Sequence, residues 1–299
     1  MEAQGYTAAG SARPAREVIG GSSSTRTTAD YRESVGYDDA GRLVFDARPG
    51  GETHATLVFA SSLFAELQRN YRREVLLARR AAAAGIRTIR FHYRGAGNSI
   101  AAGVQTDLET MTEDLRDIMA SVDGPRVLIG ARVGAIAAAR LRAETNVPLI
   151  LWEPVVRGDR WVEEVIRAAL AREIGRETGV DADTIRRRWS DDGVAHVLGE
   201  TVPREVVDQV GDVVLEDLIS GDAPVMVVQM ARNEKVKADV ARLVDALAVK
   251  GVPAEVLSIV GKQTWWVNEG GDLFRPMERD EATSRLVEGV VGFVHKACP

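Results

Sequence analysis

The chain has 299 residues, 45% hydrophobic and 27% charged, with a formal net charge of −6 at neutral pH. That length suits one large α/β domain with an insertion, or two small domains, and an acidic balance without a basic tract argues against nucleic acid as the main partner. A single cysteine, Cys298, leaves no disulfide framework and no cysteine-based metal site, and no apolar run approaches the roughly 18 residues of a membrane span.

Taken in chain order, residues 1 to about 32 are rich in Gly, Ser, Thr and Ala and read as a mobile leader. They lack the basic region followed by an apolar core that a secretory signal needs, so the cytoplasm is the expected location. Residues 37–46 suggest a hairpin turning at Asp39-Ala40-Gly41. Thr56–Ala60 is a buried strand, with Ser61 and Ser62 opening the loop after it. An Arg- and Ala-rich helix is expected from roughly 69 to 84, stopped by Gly85. Ile86–Phe91 is the next strand, and His92–Ser99 the loop at its end. Acids and apolar residues alternate with helical period from Asp107 to Ser121.

Residues 126–135 then read as a buried strand, a tight turn around Gly130-Ala131-Arg132-Val133-Gly134, and the start of an Ala-rich helix. Pro148–Trp152 is another strand, followed directly by Glu153. From about 157 to 222 the pattern is helical and charge-rich. Strand and helix alternation resumes with 224–230, 235–250, 254–260 and 280–296. Strands alternating with helices imply a mostly parallel, doubly wound sheet with helices on both faces. The expected division is a leader over 1–32, an α/β core over 33–156 and 223–299, and a helical cap over 157–222. The cap would sit above the carboxyl ends of the strands, where open α/β sheets bind ligands.

These motifs resemble the α/β-hydrolase superfamily, its serine-aminopeptidase-like branch in particular. Tyr93-Arg94-Gly95-Ala96-Gly97-Asn98-Ser99 is similar to that branch's R-G-x-G-x-S turn. A closer resemblance is to exosortase-associated hydrolases of the second type. It rests on Phe64-Ala65-Glu66, Arg72-Arg73, the Arg-centred turn and Leu151-Trp152-Glu153-Pro154-Val155-Val156 with Gly158, and it covers roughly residues 35 to 297. The resemblance implies an α/β-hydrolase fold. In that fold a strand–turn–helix G-x-S-x-G presents a nucleophilic Ser; here the central residue is Arg132, which cannot attack a carbonyl.

A Ser–His–acid triad also needs a His after the last strand. That loop, 261–268, holds none; it holds Trp265 and Trp266. The expected protein is therefore a divergent hydrolase-like chain binding an acyl, ester or peptide-like small molecule. Any catalysis would be acid–base or electrostatic: epimerisation, elimination, cyclisation or acyl transfer. Two alternatives stand beside it: a non-catalytic accessory protein whose pocket is closed by an Arg132–Glu ion pair, and a hydrolase using Ser61 or Ser62 as nucleophile.

Arg132 reads equally as an anion clamp at a helix start or as half of a buried pair with Glu66 or Glu153. Glu153 and Glu66, the latter expected in the loop that would form part of an oxyanion hole, are candidate general bases or its neutralisers. His92, expected near the pocket, is the acid–base candidate among the four histidines. Ser61 and Ser62 are candidate donors to a substrate carbonyl. Trp265 and Trp266 are a candidate apolar wall or cation–π face, and Arg94 a brace for its own turn. The histidines show no metal-ligand spacing, and no cofactor is expected. The expected partner is a small-molecule or peptide substrate, with a homodimer left open as the assembly.

Overall fold

The computed structural model describes residues 19, 24–101, 103–173, 180–261 and 281–299. Its strands are β1 (Ser24–Thr27), β2 (Tyr31–Tyr37), β3 (Leu43–Pro49), β4 (Ala55–Ala60), β5 (Ile86–Phe91), β6 (Arg126–Ala131), β7 (Leu149–Trp152), β8 (Val194–Val197), β9 (Glu200–Pro203), β10 (Val225–Ala231) and β11 (Ala254–Val260). Its helices are α1 (Phe64–Ala83), α2 (Leu108–Ala120), α3 (Gly134–Thr145), α4 (Gly158–Glu173), α5 (Ala182–Asp192), α6 (Arg204–Gly211), α7 (Leu215–Leu218), α8 (Ala238–Val249) and α9 (Glu281–Ala297).

Among the described residues, nine strands form one sheet in the order β1-β2-β3-β5-β4-β6-β7-β10-β11. The first three join antiparallel, and every pair from β5 to β11 is parallel. Every residue of β4, β5, β7 and β10 is buried, as strands covered on both faces require. Alternate side chains serve opposite layers. Val58 and Ala60 join the cluster formed with α2, α3 and α8, whereas Leu57 and Phe59 join that of α1 and α9.

The chain leaves the sheet after β7 and returns at β10. The segment between carries α4 to α7 and a β8–β9 hairpin, with an apolar cluster of its own built on Ile166, Ile185, Trp189, Ala195 and Val202.

Three expectations need correction. The leader boundary at 32 falls too late: Ser24–Thr27 already pairs with β2, and Glu33 holds Arg79 of α1 at 2.6 Å. Polar, β-branched Thr25 and Thr27 suit an exposed edge strand. The first helix begins at Phe64 and not near 69, so Glu66 lies in its first turn and not in a loop. The 157–222 segment includes the hairpin, whose turn residues Leu198 and Gly199 both have positive φ.

Candidate functional site

The turn after β6 forms as a sharp elbow. Arg132 takes a left-handed backbone at φ 51°, a strained conformation for a residue with a side chain. Its neighbours show why they are small. A Cβ on Gly130 would lie 2.5 Å from the Ala135 Cα, and one on Gly134 would overlap the Ala60 carbonyl. One strand over, Glu153 repeats the backbone solution at φ 46°, its N–H bonded to the Val228 carbonyl at 2.8 Å. The ends of β6 and β7 therefore present an arginine and a glutamate side by side.

The Arg132 guanidinium is buried, and three of its nitrogens are occupied. Nε donates to Glu66 Oε1 at 3.2 Å, one terminal nitrogen to the Glu153 carbonyl at 3.3 Å, and the other to Glu164 Oε2 at 2.7 Å. Burial pulls the Arg132 pKa down, but Glu66 and Glu164 outweigh it and leave the pKa raised, so the charge is permanent. Glu66 is itself fixed: Oε1 also accepts from Trp161 Nε1 at 3.2 Å, and Oε2 from Ser62 Oγ at 2.5 Å. Glu153 turns its carboxylate to Lys237 Nζ at 2.8 Å and accepts from the Met230 N–H. Burial raises its pKa against the opposing pull of Lys237.

Of these groups, Arg132, Glu153, Trp161, Glu164 and Lys237 border a chamber of about 520 Å³ at the carboxyl ends of the strands. Arg132, Glu153 and Gln229 lie toward the sheet, Lys237 at the start of α8, and Trp161 and Glu164 on α4. The exposed residues Arg160 and Arg167 of α4, with Arg157 just before it, complete a charged side.

The structure thus brings Arg132, Glu66, Glu153 and Ser62 into one cluster and leaves Ser61 and His92 apart from it. Ser61 points away from it, donating to the buried Glu74 carboxylate at 2.7 Å. Glu74 also accepts from Asn70 at 2.9 Å, and burial raises its pKa. Neither Ser61 nor Ser62 is among the residues lining the described cavities.

His92, expected beside the pocket, lines a different cavity with Tyr71 and the Gly95–Asn98 turn. β5 and β6 flank β4, which sets their ends about 10 Å apart. Its Nδ1 accepts the Asn98 N–H at 3.0 Å, and burial with Arg90 nearby lowers its pKa to about 4. Arg94 braces its turn as expected, with Nε 2.6 Å from Asp114. Trp265 and Trp266 lie outside the described residues.

Glu164, Trp161 and Lys237 were not anticipated. A signal was present for α4: residues 160, 161, 164 and 167 recur at helical spacing, so one face carries two arginines, a tryptophan and an acid.

No protein-family model matches the chain, and no curated protein matches it. Solved structures do, and together with the sheet order and the elbow they show that the chain has the α/β-hydrolase fold. It is similar to Est1E from Butyrivibrio proteoclasticus with ferulic acid bound (TM-score 0.58, 15% identity, 86% of this chain and 95% of that one). Proline iminopeptidase from Mycobacterium smegmatis aligns at TM-score 0.56 and 13% identity, over 92% of this chain and 98% of that one. DcsB in complex with a substrate analogue aligns at TM-score 0.55 and 15% identity, over 90% and 99%.

Proposed function

We propose that this chain uses the hydrolase frame to bind a small acyl, ester or peptide-like molecule in the elbow chamber, without forming a serine acyl-enzyme. One observation carries the reading: the elbow position is held by a buried arginine clamped between two carboxylates. A guanidinium offers hydrogen bonds and charge to a carboxylate or polarised carbonyl, but no nucleophilic lone pair. No histidine occurs between residues 197 and 294 to serve as a base after the last strand. The alternative nucleophiles are disfavoured because both serine hydroxyls donate to carboxylates and border no described cavity. In this reading the α4–α7 insertion acts as the cap.

A second reading, acid–base catalysis, draws on Glu153. It lines the chamber, is strained in backbone, has a raised pKa and touches Lys237, a combination found where protons are moved. The closed Arg132 cluster is the arrangement expected of the non-catalytic accessory alternative, and it favours a binding or accessory role over catalysis. A fluorophosphonate probe tests the common element. No labelling is expected, nor turnover of p-nitrophenyl esters, while small acyl compounds raise the melting temperature. Stoichiometric labelling at Ser61 or Ser62 would overturn the proposal.

A further inference from the structure

The elbow chamber shares a wall with a second, smaller cavity. This is a slot of about 40 Å³ between α1, α4 and the hairpin, walled by Leu63, Phe64, Val165, Ala168 and Val202. Trp161 and Glu164 line both spaces, so the Arg132 cluster is the partition between a charged chamber and an apolar slot.

The two carboxylates on Arg132 are not equivalent. Glu66 is held through both oxygens, by Arg132 and Trp161 on one and Ser62 on the other, and its side chain is 13% exposed. One carboxylate neutralises one guanidinium. Glu164 adds a second, making the cluster anionic, and it does so from a side chain that is 38% exposed. Its one hydrogen bond among the described residues is to Arg132. Arg160 lies four residues before Glu164 and Arg167 three after, positions that share a helix face. Both are exposed and make no ion pair among the described residues. A displaced Glu164 therefore has cationic partners on its own helix.

We propose that Glu164 holds the place of a ligand carboxylate on Arg132. The ligand is a carboxylic acid with a short apolar chain: its carboxylate takes the terminal nitrogen that Glu164 leaves, and its chain passes Trp161 into the slot. Glu164 is then a built-in competitor that sets the affinity. This rests on the reading of the elbow chamber as a ligand site.

Titration calorimetry of hexanoate against the full chain, with hexan-1-ol and acetate as controls, tests it. Glu164→Ala removes the competitor and is expected to bind hexanoate at least tenfold more tightly than wild type. Hexan-1-ol should gain nothing, and acetate should bind more weakly than hexanoate in both proteins. Adding Arg132→Met with Glu66→Gln, which removes the fixed pair together, should erase the gain, with circular dichroism verifying the fold of each variant. Equal affinity in wild type and Glu164→Ala, an equal gain for the alcohol, or no hexanoate binding by either protein would overturn the inference. Those outcomes differ from fluorophosphonate labelling, which would overturn the functional reading beneath it.

Discussion

Arg132 and Glu153 end neighbouring parallel strands in the same left-handed backbone, a conformation that costs of order 1–3 kcal/mol at each residue. In the elbow, that cost is offset by the ion cluster. Arg132→Met strands the largely buried Glu66 carboxylate, 13% exposed, and is expected to destabilise the protein by up to about 3–5 kcal/mol. Adding Glu66→Gln should recover much of the loss; denaturant melts of the single and double variants check this, and full additivity would show that the pair is not coupled. Glu74 follows a different logic. It is buried without an ion pair among the described residues, burial holds its pKa above the ordinary 4.5, and the Asn70 Oδ1 beside it lacks a donor. The folded state binds that proton more tightly than the unfolded chain, so this site loses stability as pH rises through the raised value and regains it toward 4.5. Glu74→Gln should therefore melt higher than wild type at neutral pH, with the gap closing on acidification. A constant deficit at every pH would show that the carboxylate is needed there.

At the scale of elements, α4 decides what the site contains, since it delivers Trp161 and Glu164. Its start is fixed by Gly158, whose N–H bonds to the Val213 carbonyl at 2.8 Å and whose Cα faces the Val210 carbonyl so closely that a Cβ would overlap it. Gly158→Ala is expected to cost about 1–3 kcal/mol and to shift α4 against α6, as overpacking does; thermal melts and the quenching of tryptophan emission by acrylamide would report both. This element also marks how far the sequence could be read. The elbow was legible because its causes are local: small residues flank Arg132 within two positions, between an apolar strand and an alanine-rich helix. The strands β4, β7 and β10 were legible from unbroken or nearly unbroken apolar runs, and β5 and β11 from β-branched and apolar residues interrupted by polar ones. The partners of the site were not. Glu164 meets Arg132 across 32 residues and Lys237 meets Glu153 across 84, and no periodicity encodes such meetings. His92 was misjudged for a related reason: its place at a strand end is readable, but strand order, which puts β4 between it and the elbow, is not.

The sheet of the whole molecule has unequal edges. β1 is exposed throughout, whereas β2 carries Glu33, buried against Arg79 and Arg90. Truncation to residue 29 is expected to change the melting temperature little, while truncation through residue 37 unpairs β3 and strands two arginines, costing several kcal/mol by the same argument as at the elbow. Equal melting of the two shortened proteins would show that the β2 edge contributes nothing. The insertion has a consequence of another kind. β7 and β10 are neighbours in the sheet, yet the chain between them must run through α4, the hairpin and α7 before they meet. A slack loop of that length would delay the pairing by its closure entropy. Because the insertion gathers Ile166, Ile185, Trp189 and Val202 into a cluster of its own, it can condense first and bring its two ends together. The segment that walls the elbow chamber is then expected to act also as a kinetic clasp: weakening its cluster with Trp189→Ala should slow refolding measured by stopped-flow fluorescence, and an unchanged refolding rate would refute this.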